Sequence, residues 1–177
     1  MILVAGGAQR TMTDDFVTLF AYHRWADRRV LEACRKLTAE QYVVEPAPGW
    51  SSVRSTIVHI AIVTDGWIRA VAGEPVAIFP TEAELPTVDD AERLLDRAGR
   101  VLDDLLPTLT PERLAAPMTL RGGGRTAILP PWAVFRHVVN HSTYHRGQVA
   151  SKLKRLGVEP PVMDFVSWAF EQIPQRA

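Results

Sequence analysis

One cysteine, no excess of charge of either sign and no long apolar run set the first limits on this sequence of 177 residues. Cys34 has no partner in the chain, so an internal disulfide is excluded, and with it the bridge-stapled folds of small secreted domains. A lone thiol fits a reducing compartment; secreted proteins without bridges share that count, and the cytoplasm is the expected location. Lys and Arg number 20, Asp and Glu also 20, and no basic run stands out. Nucleic-acid binders gather cations to neutralise phosphates, so no nucleic-acid partner is expected. No stretch approaches the roughly 20 apolar residues that cross a bilayer, and residues 1–4 are too short for a signal-peptide core, so no membrane partner is expected either.

What the chain does have is enough apolar material, 47% of residues, to bury a core as one domain. Residues 1–12 read as an N-terminal tail and 13–173 as a single domain, because Thr13 is an N-cap followed by the acidic first-turn residues Asp14 and Asp15. From there to about Leu37, Phe16, Leu19, Phe20, Ala26, Val30, Leu31 and Cys34 recur at three- and four-residue steps, which predicts an amphipathic helix. Pro46, Pro48 and Gly49 separate it from a second helix that starts near Ser51 or Ser52 and runs to Val71. Residues 58–63 are apolar nearly all round, which predicts a central, deeply buried helix.

Pro75, Pro80 and Pro86 mark a loop, and Thr87 caps a third helix that ends before Pro107. Gly122, Gly123 and Gly124 lie between two short strand-like segments and predict a small hairpin. Pro130 and Pro131 open a last long helix that Gly157 stops, with Lys152, Lys154 and Arg155 near the negative end of its dipole. A short closing helix covers residues 163–171. Four long amphipathic helices with little strand predict an all-α four-helix bundle with a hairpin-like crossover and a short C-terminal helix.

The last long helix carries His137, His141 and His145 at four-residue steps, a spacing that lets two imidazoles reach one metal ion. With His141 at zero on a helical wheel, Val134, Val138, Val149, Leu153 and Leu156 fall between about 20° and about 120°. His145, at about 40°, lies inside that arc, His141 on its edge and His137, at about −40°, outside it. His141 and His145 are therefore the inward pair, bordered by Gln148 and Tyr144. A transition metal asks for a third ligand, and His23 and His59 remain. His59 is preferred: in the most apolar helix an unpartnered imidazole loses hydrogen bonds at roughly 1–3 kcal/mol.

Any one of these histidines alone reads as an ordinary core or surface residue, as His23 does beside Arg24. It is the pair with a remote third that points to a metal. The spacing of His141 and His145 also matches the metalloprotease pattern, but Ser142 stands where that chemistry needs a glutamate base. The three glycines lack the lysine and hydroxyl of a phosphate loop. Cys34, on the apolar face of the first helix, reads as packing, and so do Trp25, Trp67 and Trp168.

The run Asn140-His141-Ser142-Thr143-Tyr144-His145-Arg146-Gly147-Gln148 resembles the N-H-x-x-x-H-R-G-Q signature of the DinB-like (YfiT-type) superfamily. Tyr22, Trp25, Ala26 and Asp27 are similar to its first-helix segment, and His59 with Asp65 and Trp67 to its second-helix histidine region. The resemblance implies an up-down-down-up bundle, commonly a homodimer, in which one histidine of the second helix and two of the last bind a divalent metal. His59, His141 and His145 stand at those positions. Tyr144 replaces a histidine often found there, and Asp27 replaces an asparagine.

Members of the superfamily include S-transferases and isomerases that use low-molecular-weight thiols such as bacillithiol or mycothiol, and metal-dependent hydrolases. The expectation is therefore a metal-dependent S-transferase that joins such a thiol to an electrophilic small-molecule substrate. A metal-dependent hydrolase and a nonenzymatic metal-binding bundle are the alternatives. Zinc or nickel are the first choices of ion, and iron and manganese also fit the expectation. His137, Tyr144 and Gln148 are expected beside the ligands or in the pocket. No carboxylate is placed by spacing as a general base. Arg146, about 140° from His141, is expected in helix packing or a dimer contact.

Overall fold

A computed structural model of the chain describes residues 12–74, 78–122 and 124–172. The long helices are α1 (Met12–Cys34), α3 (Val53–Val71), α4 (Val88–Leu105) and α6 (Pro131–Arg155). Shorter helices are α2 (Ala39–Val43), α5 (Pro111–Ala115) and α7 (Phe165–Gln172), and strands β1 (Met118–Gly122) and β2 (Arg125–Leu129) form the one hairpin. The proposed tail lies outside the described residues, except that Met12 already belongs to α1. Thr13 is not a cap: its hydroxyl donates to the carbonyl of Leu109 at 3.2 Å and ties α1 to the loop after α4.

Local chemistry accounts for most boundaries. Ser52 caps α3 by accepting from the Ser55 amide at 3.0 Å. At α4 the Thr87 hydroxyl accepts from the Asp90 amide while the Asp90 carboxylate accepts from the Thr87 amide, so two otherwise unpaired N–H groups are satisfied. The same reciprocal pairing between Thr38 and Gln41 starts α2, a one-turn helix that buries Tyr42. Gly157 follows α6 with φ of +81°, a left-handed conformation that only glycine adopts without strain. The strands pair antiparallel with Met118 opposite Leu129 and Gly122 opposite Arg125.

Cross-helix contacts fix the topology. Arg24 pairs with Asp103 and Arg35 with Asp89, so α1 and α4 are antiparallel. Thr56 meets Lys152 and Thr64 meets Ser142, so α3 and α6 are antiparallel. Phe16 packs on Phe135 and Asp27 on Arg146, which makes α1 and α6 parallel. α3 and α4 are parallel too: Val53 shares one core cluster with Val88, and Ile68 shares the other with Leu102. The result is an up-down-down-up four-helix bundle with α3 between α4 and α6.

The core is two apolar clusters. One surrounds Phe16, Phe20, Phe135 and Leu102, and the other Val30, Leu31, Ile57 and Leu153. Buried polar residues, His23, Asp27, Thr64, Asp65, Ser142 and Arg146, lie at intermediate positions along the helices. Arg146 is the largest fully buried side chain, 1% exposed. It donates to Asp27 Oδ1 at 2.7 Å, to Thr143 Oγ1 at 2.8 Å and to His23 Nδ1 at 3.2 Å. Packing inside its own bundle is thus its role.

α3 is not buried all round. Val53, Ile57, Ile60, Ala61 and Ile68 face the core, but His59 is exposed and Ile62, Val63 and Trp67 are half-buried. The wheel of α6 needs a matching correction. Phe135, Val139, Ser142 and Arg146 are buried, which moves the middle of the inward arc to about 90° from His141. His141 and His145 are half-buried at the rim of that arc, and not in the interior. Lys152 also turns inward from the end of α6, donating to the Ser51 hydroxyl at 2.9 Å, the Ser52 carbonyl at 3.2 Å and the Thr56 hydroxyl.

Candidate metal centre

The antiparallel seam of α3 and α6 brings His59 opposite His141 and His145. Ring centroids lie 4.8 Å apart for His59 and His141, 4.6 Å for His59 and His145, and 4.4 Å for His141 and His145. One nitrogen from each ring lies within 4.8 Å of the others, and among the described residues this is the one cluster of three or more His, Cys, Asp or Glu side chains placed so. Two Nε2 atoms, those of His59 and His141, face each other at 3.0 Å. A tetrahedral ion bound at about 2.0–2.1 Å separates its nitrogen ligands by roughly 3.3 Å, so this pair is already at ligand spacing. The widest separation in the trio is longer, within 4.8 Å.

Protonation states favour lone pairs in the cluster. His145 Nδ1 lies 2.8 Å from Gln148 Oε1, an acceptor, so Nδ1 carries the proton and Nε2 is left with its lone pair. Burial, then the neighbouring His145, His59 and His137, holds the His141 imidazolium down at about 4, well below the usual 6.5. Burial and His145 lower His59 in the same direction. Near neutral pH His141 is therefore neutral, the form in which an imidazole binds a metal. Its Nδ1 is buried without a hydrogen-bond partner. Three nitrogen donors at one point, with the proton fixed on the far side of His145, fit a divalent transition-metal ion.

The other expected residues divide. His137 is exposed, with its ring 5.4 Å from His141, on the side of the cluster towards Trp67. Tyr144 is 67% exposed, and its ring lies edge to face with that of His145, centroids 5.1 Å apart. Gln148 touches a histidine of the cluster directly. His23 is not part of the trio: it is buried against Asp27 and Arg146, and burial lowers its pKa. Cys34 is buried, and burial pushes its thiol up to about 12, which leaves it a packing residue.

Sequence reasoning read Trp67 as a packing residue, and it is half-buried against the core; what that reading missed is that its ring also lies 5.6 Å from His137. Its position two turns after His59 on the same face of α3 was the available signal. It also missed the clamp on Asp65, whose buried carboxylate accepts from Arg97 at 2.8 Å and 2.6 Å. No helix among the described residues is long and apolar enough to cross a membrane.

Comparison with known proteins agrees with this architecture. The chain is similar to Protein DinB of Bacillus subtilis, with 24% identity over 175 residues, 94% of this chain and 100% of that one. It resembles the crystal structure of a DinB-like protein from Bacillus cereus, with a TM-score of 0.58 and 20% identity over 83% of this chain and 94% of the other. A conserved protein of Enterococcus faecalis superposes with a TM-score of 0.59 and 16% identity over 84% and 98% of the two chains. These two likenesses are of fold. The sequence pattern of the DinB family matches residues 10–176, which take in α1, α3, α6 and all three histidines of the seam, and the chain belongs to that family.

Proposed function

We propose that the chain binds one divalent metal ion through His59, His141 and His145 and acts as an S-transferase, joining a low-molecular-weight thiol to an electrophilic small molecule. The observation that carries this is the convergence of three imidazoles with no carboxylate or thiolate among them in the described residues. A site of three neutral ligands leaves the ion its full charge and a free coordination position, and when bound the ion supplies a Lewis acid that favours the deprotonated form of a thiol or a water. His145 keeps its lone pair on the metal side because Gln148 holds the other proton. His59, exposed on α3, leaves the cluster open to small molecules from solvent.

Three imidazoles can serve a thiol or a water, and the thiol is preferred here because it is the easier group to ionise. A thiol near pKa 8.5 needs only a small shift to ionise at neutral pH, while a three-histidine ion brings bound water to about 7, so the conjugation assay below decides between them. In the transfer the sulfur forms a bond to the electrophilic carbon, the leaving group departs with its electron pair, and the thiol proton passes to solvent.

Elemental analysis of protein purified without a metal-affinity column tests the ion. About one equivalent per chain is expected, falling to less than about a tenth in His59→Ala, His141→Ala or His145→Ala. Metal below a tenth of an equivalent in the parent protein refutes the site. Incubation of the metal-loaded protein with several low-molecular-weight thiols and an electrophilic dye tests the reaction. Hydrolysis of a model ester or amide without conjugation to any thiol assigns the hydrolase instead.

A further inference from the structure

Between α3 and the hairpin lies a cavity of about 490 Å³, lined by Val63, Trp67, Phe79, Ala127, Arg121 and Arg125 among others. Its volume falls in the range of small-molecule sites. It lies on the same face of α3 as His59. Val63 follows His59 by four residues and Trp67 by eight, so the cavity starts about one turn, roughly 6 Å, from the histidine and runs past two turns, roughly 12 Å. Ring contacts join the two regions, from Trp67 to His137 at 5.6 Å and from His137 to His141 at 5.4 Å.

The cavity has an apolar body and a cationic rim. Trp67 and Phe79 supply aromatic surface, and Phe79 lies so close to α3 that a Cβ at Gly66 would meet its ring at 2.6 Å. The missing side chain at Gly66 is thus what lets Phe79 form a wall. At the hairpin, Arg125 shares a face with Ala127 and the buried Leu120 by strand alternation, while Arg121, opposite Thr126, belongs to the other face and borders the cavity at its edge. Among the described residues no carboxylate lies within ion-pair distance of Arg121 or Arg125. Two such cations beside an apolar cleft are complementary to one kind of ligand, an apolar molecule with an anionic end.

We propose that this cavity binds the apolar body and anionic end of an elongated small-molecule carboxylate, with Arg125 taking the carboxylate and Arg121 adding positive charge at the edge. The opposite end of the ligand then reaches the histidine cluster, so the electrophile of the reaction is an amphiphilic acid roughly 10–15 Å long. That last step rests on the metal-site function proposed above; carboxylate binding in the cavity does not.

Isothermal titration of the full-length protein with phenylbutyrate, phenylbutanol and phenylbutylamine separates the contributions. Phenylbutyrate is expected to bind at least about tenfold more tightly than the alcohol or the amine, the size of one charge-assisted contact. The preference disappears in Arg125→Ala/Arg121→Ala, and all binding is lost in Ala127→Trp, which fills the cleft from the hairpin. Helix content by circular dichroism confirms that these surface variants fold. His59→Ala retains the preference, so failure to load metal refutes the centre and leaves the cavity standing. No binding of phenylbutyrate, equal affinity for the three probes, or a preference intact without both arginines overturns the proposal.

Discussion

Replacing Asp27 probes the buried charge behind the histidine helix. In Asp27→Ala the Arg146 guanidinium, 1% exposed in the parent, keeps as hydrogen-bond acceptors Thr143 Oγ1 at 2.8 Å and His23 Nδ1 at 3.2 Å, both neutral, and the Tyr22 ring 5.7 Å away. Removing one partner of a buried pair typically costs about 3–5 kcal/mol, a third or more of the stability of an ordinary domain. Asp27→Asn keeps an acceptor near the 2.7 Å contact but removes its charge, and the difference between charge-assisted and neutral hydrogen bonds puts its cost at about 1–2 kcal/mol. Asparagine is also the residue that the family-like first-helix segment usually carries here. Urea unfolding at neutral pH reads these costs. With a slope of roughly 2 kcal/mol per molar, Asp27→Ala lowers the midpoint by roughly 1.5–2.5 M. In an Arg146→Met background the same change costs at least about 2 kcal/mol less, because no cation is left stranded. A loss below about 1 kcal/mol in Asp27→Ala, or additive effects in the double variant, refutes the claim that the pair is a coupled buried unit.

Gln148→Leu frees His145 Nδ1 and removes the bond that fixes its tautomer, so metal affinity falls about 10–100-fold in a competition titration with a chromophoric chelator while the urea midpoint barely moves. His23 is held neutral by burial and by the cations Arg146 and Arg24, against the opposing carboxylate of Asp27. Its folded pKa lies below the ordinary 6.5, so its contribution to stability is complete above about pH 6.5 and is lost as pH falls through the folded value. Urea midpoints from pH 7 to pH 4 fall less steeply in His23→Gln than in the parent, by up to about 1.4 kcal/mol per pH unit; parallel curves contradict the assignment.

The bundle was legible because all four long helices show their period and three of them, α3, α4 and α6, also show an end. Thr87 with Asp90, Ser52 with Ser55, and Gly157 after Arg155 are short-range signals, and short-range signals survive in one sequence. Thr38 with Gln41 belongs to the same class, and α2 was there to be read from that pair. The three histidines were identified from spacing on α6 and from the need to satisfy His59, and the structure does bring them together. Their depth was not legible. The wheel of α6 was centred on its aliphatic residues, whereas the true inward arc includes Arg146, a cation whose burial depends on Asp27 and His23 more than a hundred residues earlier. Such long-range compensation leaves no local trace.

The error over α3 has a different origin and carries more information about function. Apolar residues on every side of residues 58–63 implied that every side faces protein. Instead, Ile57, Ile60 and Ala61 fill the core, while Ile62, Val63 and, a turn further on, Trp67 line the cavity beside the hairpin. Val63 and Trp67 share the face of His59. A helix that needed only one buried stripe would carry polar residues on its second face, because exposing apolar area to water gains nothing. The second apolar face of α3 is covered only in part by the bundle: Ile62 and Trp67 rest against the edges of the two core clusters, and the same face lines the cavity. α3 is thus apolar on two faces, one turned to the core and one divided between the edges of the core clusters and the cavity beside His59.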